Sequence, residues 1–144
     1  NTERDDSSQA FYAAESGISM AKDWLKNQTN YNLGTDPNGQ LRFCKASFFP
    51  NLRTSNGITL GRKSLNEVIS ASGVEATRLG KFSFEYFIAY SPDVNGNNSS
   101  AKKKSGTNNT LYTIYSCGCN ESKDKCRAQS NIIVPLEAVV TLIN

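Results

Sequence analysis

Apolar and small residues recur at steps of three and four along residues 7–27: Ala10, Phe11, Ala13, Ala14, Gly17, Ile18, Met20, Ala21, Trp24 and Leu25. Glu15, Ser16, Ser19, Lys22, Asp23 and Lys26 fill the opposite side. This pattern predicts one amphipathic helix with a broad apolar face, about 30 Å long at 1.5 Å per residue. Phe11, Ala14, Ile18, Ala21 and Leu25 are expected to pack on the rest of the fold, with Ala13, Gly17, Met20 and Trp24 on the flank. Gly17 costs about 1 kcal/mol relative to Ala inside a helix, so its presence predicts a close approach of neighbouring backbone. Nothing in Thr2–Asp6 breaks a helix, and Glu3, Asp5 and Asp6 suit the positive end of its dipole. The helical region is therefore taken as 1–28. It stops where Asn30, Asn32, Gly34, Asp36-Pro37 and Asn38-Gly39 accumulate turn signals.

Residues 29–80 read as a variable region between this helix and a sheet. Within it, Leu41–Phe49 suits a strand or a packed loop. Ser64–Ile69 reads as a short helix capped by Ser64, with Glu67 three residues on completing a capping box. From residue 81 the period becomes two: Phe82, Phe84, Tyr86, Ile88 and Tyr90 alternate with Ser83, Glu85, Phe87 and Ala89. A polar loop over Ser91–Asn109 leads to a second strand, Thr110–Cys119. Cys126–Val134 reads as a third strand, and Leu136–Ile143 as a fourth or a continuation past Pro135, where a central ladder could not run unbroken. The expected fold is α+β, a single domain over 1–144 with its N-terminal helix packed on an antiparallel sheet of about four strands, the latter within 81–144.

Composition narrows the chemistry. The chain of 144 residues has no histidine, which removes His-based acid–base catalysis, Ser–His and Cys–His nucleophile pairs and the commonest transition-metal ligand. No Gly-x-Ser-x-Gly or phosphate loop is present, so no enzymatic function, no cofactor and no small-molecule substrate is expected. Sixteen basic and thirteen acidic residues leave a net charge of +3, modest for a dedicated nucleic-acid domain. The densest basic feature, Lys102-Lys103-Lys104, lies among Ser, Gly and Asn. It reads as a solvated loop tip, with contact to phosphate or another acidic partner as the functional alternative. No interleaved aromatic residue is there to stack on bases. The sequons at Asn27, Asn98, Asn108 and Asn120 read as by-products of sixteen asparagines.

Four cysteines, Cys44, Cys117, Cys119 and Cys126, remain. A zinc site would need all four thiolates, yet the paired C-x₂₋₄-C spacing of structural zinc is missing, so no metal is expected. Two disulfides formed in an oxidising compartment are. Cys117–Cys119 is the least favourable pairing, because residues i and i+2 of a strand stand about 6.5–7 Å apart at Cα. Of the other two connectivities, Cys119–Cys126 with Cys44–Cys117 is favoured. In the chain-entropy model the long loop contributes about 4 kcal/mol and the short one about 2.5 kcal/mol. Sequence leaves the choice open.

The segment Gln9-Ala10-Phe11-Tyr12-Ala13-Ala14-Glu15-Ser16-Gly17-Ile18, followed by Ala21 and Trp24-Leu25, resembles the helix region of type IV minor pilins of the PilX type. It also resembles pilin-like proteins of mannose-sensitive pili. That family carries a stretch of the form (Q/R)-A-x-Y-A-A-E-(S/A)-G-(I/A) after a hydrophobic N-terminal segment. The likeness is close over residues 4–25 and architectural beyond. It implies a pilin-like roll and a chain that begins partway down a longer helix. The upstream part would be an apolar stretch of about 20 residues, enough to cross a bilayer, preceded by a leader removed by prepilin peptidase. Such a segment anchors the subunit in the inner membrane and later packs in the filament core.

The implied function is a structural or accessory subunit of a bacterial type IV pilus at the cell surface, acting in assembly, adhesion or DNA uptake. Its partners would be other pilin subunits, the inner membrane and a DNA, host or surface ligand. Alternatives within this reading are a pseudopilin of type II secretion, or a DNA-receptor pilin using Lys102–Lys104. On the helix, Glu15 is expected as a solvated or capping carboxylate, with a filament contact as the functional alternative.

Overall fold

The computed structural model describes residues 2–26, 41–50, 60–90, 109–127, 129 and 131–143. Helix α1 spans Thr2–Lys26 and helix α2 spans Gly73–Leu79. Strands are β1 (Leu60–Ser64), β2 (Ser83–Tyr90), β3 (Asn109–Cys119) and β4 (Ile133–Ile143), with single 3₁₀ turns at Ala46–Phe48 and Leu65–Glu67. The strands form one antiparallel sheet in the order β1-β2-β3-β4. The fold is α+β, with the N-terminal helix packed on this four-stranded sheet.

Small side chains set how α1 sits. Ala10, Ala13, Ala14, Gly17, Ala21 and Leu25 are buried, and all fall on one face at about 100° per residue. Across from them lie Phe84, Tyr86 and Ile88 of β2 and Tyr112 and Ile114 of β3. The tightest contact is backbone to backbone. A Cβ on Gly118 would overlap the Ala10 carbonyl and crowd the Ala14 amide, and one on Gly17 would overlap the Ser116 hydroxyl and meet the Phe84 ring at 3.0 Å. Ser116 Oγ donates to the Ala14 carbonyl at 2.8 Å. The close approach anticipated at Gly17 thus exists, and its partners on β3 are Ser116 and Gly118.

Ala10 opposes Gly118 and Gly17 opposes Ser116, so α1 runs antiparallel to β3. Gly118 is the penultimate residue of β3. Residues 2–9, about 12 Å of helix, therefore extend past that end of the sheet.

One packing expectation fails. Phe11 is 43% exposed, because it stands roughly a quarter-turn from the centre of the buried stripe. Ala13 and Gly17, expected at the flank, are central instead. Ile18, Met20 and Trp24 flank the core and are partly buried.

The strand assignments also need correction. Cys126, Arg127, Gln129, Asn131 and Ile132 are not in a strand; β4 starts at Ile133 and continues past Pro135 without a break, the second of the two readings given for Leu136–Ile143. This is allowed because β4 is an edge strand, where a missing N–H can point away from the ladder. β1 was not foreseen at all, since Leu60-Gly61-Arg62-Lys63-Ser64 carries little apolar signal. Its cations are what an exposed edge strand favours. The expected helix at Ser64–Ile69 is only a 3₁₀ turn, and α2 follows it.

The face of the sheet turned away from α1 is covered by Leu41–Phe49, the segment expected as a strand or a packed loop, which is a packed loop. Phe43, Cys44 and Phe49 form a second core with Phe87, Tyr115, Cys117, Cys119 and Cys126. Phe49 meets Phe87 and Tyr115 edge-on, with ring centroids 5.9 and 4.8 Å apart, and Phe87 stacks on Tyr115 at 5.0 Å. The two central strands are thus buried on both faces.

Candidate functional site

Two disulfides hold the second layer: Cys44–Cys117 joins residues 73 apart, and Cys119–Cys126 joins residues 7 apart. Cα separations of 5.4 and 6.5 Å lie within the range a disulfide spans. Cys117 and Cys119 point to the same face of β3, as i and i+2 residues must, while Gly118 between them faces α1. The three-residue stretch thus serves both layers at once: two sulfurs bind the loops on one side, and a missing side chain admits the helix on the other.

Beside these bridges lies a group the sequence reading passed over. Glu85, in the middle of β2, is fully buried. Its carboxylate accepts from the amides of Arg42 (3.0 and 2.9 Å), Phe43 (2.9 Å) and Cys44 (2.7 Å), and from Arg62 Nε at 2.6 Å. Segment 41–44 would otherwise bury three amides without partners. Arg62 comes from β1, directly opposite Glu85 in the ladder. One carboxylate thus clamps the covering loop to the sheet and to the edge strand. The available signal was a lone acid inside an otherwise apolar strand.

A third cluster closes the same end of the sheet. Glu67 accepts from the Ser64 amide at 2.7 Å and from Lys123 Nζ at 2.7 Å, while Ser64 Oγ accepts from the Lys123 amide at 3.0 Å. The hydrogen bond from Lys123, then that from the Ser64 amide, holds the Glu67 carboxyl below its ordinary range. Ser83 Oγ donates to the Glu121 carbonyl at 2.7 Å. Asn120 Oδ1 accepts from the Ile132 amide at 2.9 Å, so the side chain of this sequon is used within the fold.

On the helix side, an open groove separates α1 from the segment 65–79. One part, about 490 Å³, is lined by Gln9, Tyr12, Ser16, Ile69, Arg78 and Leu79 among others; the adjoining part, about 440 Å³, reaches Glu15, Met20, Asp23 and Val68. Tyr12 is 63% and Ile69 42% exposed. Glu75 is ion-paired with Arg78, whose guanidinium lowers the Glu75 pKa. Glu15 is exposed on the outer face of α1, at the rim of this groove.

The helix residues singled out from the sequence therefore divide. Ala14, Gly17, Ala21 and Leu25 bind α1 to the sheet, Ile18 and Trp24 flank that contact, and Phe11 and Glu15 face outward. Lys102, Lys103 and Lys104, and the sequons at Asn27, Asn98 and Asn108, lie outside the described residues. Among the described residues no cluster of His, Cys, Asp or Glu could hold a metal ion, and no helix is long and apolar enough to cross a membrane. The chain matches no protein-family model, no curated protein and no solved structure.

Proposed function

We propose that this chain is the head and lower helix of a type IV pilin-like subunit, an accessory or minor pilin that builds or decorates a bacterial surface filament. One observation carries the reading. Helix α1 is fixed antiparallel along β3 by a stripe of alanine and glycine, and its first two turns run on past Cys119, the end of that strand, with Gln9 beside the segment 65–79. A helix that continues into a filament spine would take this course.

Other features agree with export and assembly. Two buried disulfides suit a small, polar head outside the cytosol. The outward side of α1 carries Phe11 and Tyr12, 43% and 63% exposed, where a neighbouring helix would find apolar surface. Filament growth needs two different surfaces on each subunit, one docking on the other in an open series. The pilin-like roll, the place in a pilus or secretion pseudopilus, and roles in adhesion or DNA uptake belong to this proposal.

The test is processing. The complete gene product, expressed in its own cell with and without prepilin peptidase, is sized and sequenced at its N-terminus. The expected product is a membrane-anchored chain cut just ahead of an apolar segment that continues into α1. A product untouched by the peptidase, with no apolar segment leading into α1, would refute the proposal.

A further inference from the structure

We infer that β4 is the docking edge for β4 of a second copy of this chain, joining the two sheets about a two-fold axis. This goes beyond the subunit reading and does not rest on it. The two edges of the sheet are protected to different degrees. β1 has five residues, among them Gly61, Arg62 and the exposed Lys63, and a short cationic edge is a poor template for pairing. β4 has eleven residues, eight of them Ala, Val, Leu or Ile, with Glu137 its one charge and Pro135 its one breaker. Past Pro135 the edge continues for eight residues, about 27 Å at 3.4 Å each. Among the described residues no further strand pairs with it.

Pro135 fixes which backbone groups point outward. It has no N–H, yet the ladder with β3 continues through it, so its nitrogen faces away from β3. Successive residues of an antiparallel strand alternate in this respect. Glu137, Val139, Thr141 and Ile143 therefore direct their N–H and C=O groups outward, while Ala138, Val140 and Leu142 bond to β3. A two-fold axis at Val139 sets Val139 opposite its copy, Glu137 level with Thr141, and Pro135 level with Ile143. No carboxylate then meets another, whereas an axis at Glu137 would oppose two of them. Only Pro135, near each end of the paired stretch, lacks a donor.

A second copy also covers what β4 leaves half-buried. Leu136, Ala138 and Val140 lie on the α1 face of the sheet, opposite Ser116, Ile114 and Tyr112, and are half-buried. Tyr12 and Ser16 border the groove on the side of α1 next to 65–79. Phe11 and Ile18 fall on the opposite flank at about 100° per residue, towards β4. There Phe11 is 43% exposed and Ile18 packs on the same core as Val140. A copy related by the two-fold brings its own α1 to the same face. The two β3 strands then stand three strand spacings apart, about 14 Å, which accommodates two helices of about 10–12 Å diameter. Leu136, Val140 and Phe11 of each copy lie in the strip between them. A lone extended peptide would satisfy the backbone and leave that strip open. The contact is isologous, so it closes as a dimer.

Sedimentation of the chain over a wide concentration range, with both disulfides intact, tests this. The wild-type chain is expected to pass from monomer to dimer. Val139→Pro removes the central outward N–H and leaves the bonds to β3 in place, and Val139→Lys sets two cations opposite each other across the axis. Each should weaken the dimer by about tenfold or more. Phe11→Ala should weaken it severalfold. Amide exchange supplies the local readout. Val139 and Thr141 amides should gain protection as concentration rises, while Ala138 and Val140 amides are protected throughout. Persistence of the latter in Val139→Lys shows that the variant still folds.

A wild-type chain monomeric at every concentration would overturn the pairing. So would a dimer that withstands Val139→Lys, or concentration-dependent protection that spares Val139 and Thr141. A chain that stays monomeric yet binds a synthetic peptide copying Leu136–Ile143 would show an edge open to strands in general, and would equally overturn pairing with a second copy.

Discussion

Replacing Glu85 with Gln removes one negative charge and turns one acceptor atom into a donor, at a point where four donors converge. The carboxylate serves the amides of Arg42, Phe43 and Cys44 and the Arg62 guanidinium, at 2.6 to 3.0 Å. Hydrogen bonds to a charged group contribute about 1.5–3 kcal/mol each, but they act here as a unit and do not add. Removing one partner of a buried ion pair costs about 3–5 kcal/mol, and at least one orphaned amide adds to it. Glu85→Gln should therefore lose about 3–5 kcal/mol in urea unfolding with both disulfides intact.

A second variant separates the ion pair from the clamp. Where only the pair matters, replacing both partners by apolar residues is close to neutral. Glu85→Met with Arg62→Met should remain destabilised by several kcal/mol, because three amides still lack an acceptor. Amide exchange adds a local readout: Arg42, Phe43 and Cys44 should lose protection first, while Ile114 keeps it. A Glu85→Gln loss below about 1 kcal/mol, or a neutral double variant, would refute the clamp.

Other expectations follow from the same geometry. Gly118→Ala should cost at least about 3 kcal/mol, at the upper end of overpacking, since its Cβ would overlap the Ala10 carbonyl. Gly17→Ala should also destabilise in thermal melts, although helix propensity alone would add about 1 kcal/mol of stability. Phe11→Ala should change stability by less than about 1 kcal/mol while Leu25→Ala loses about 2–5 kcal/mol; equal losses would return Phe11 to the core.

pH dependence has a defined sign at each end. Burial raises the pKa of Tyr86 and of Tyr115, the latter with help from Glu137, above the ordinary 10.0. Folded molecules hold those protons longer than unfolded ones, so stability is full below pH 10 and falls as pH rises beyond it. Phenolate absorbance should appear late and together with unfolding. The Glu67 carboxyl is held below 4.5, so its contribution is full above that value and is lost as pH falls through the folded pKa. Because its pair with Lys123 is about one-third exposed, the loss should stay under about 1 kcal/mol.

The helix was legible because its signal is local: alanine and glycine repeat at the right spacing, and Gly17 announced a close contact before its partner was known. The disulfide pairing was legible only in part: strand geometry disfavours Cys117–Cys119, but the two remaining connectivities close loops of nearly equal length, so the sequence left that choice open. β1 was not legible, because its strand character comes from pairing with β2 and its own residues say little. The second layer was legible only in part, as an apolar segment over Leu41–Phe49 whose place on the sheet the sequence did not give. Phe87 and Ala89 on the nominally polar side of β2 were the hint, for a strand buried on both faces loses its alternation. Glu85 escaped because what a buried acid binds depends on amides 41 to 43 positions away, which no local pattern encodes. Phe11 misled for the opposite reason: it is apolar and near the stripe, yet a quarter-turn off its centre.

The subunit reading is tested most directly by where the protein is found. Cells making the complete gene product are sheared, the released filaments are pelleted, and the pellet is probed for this chain with its two disulfides intact. The account predicts that the chain is recovered in the filament pellet and disappears from it when filament assembly is blocked. A chain found only as free protein, whether filaments form or not, would contradict it.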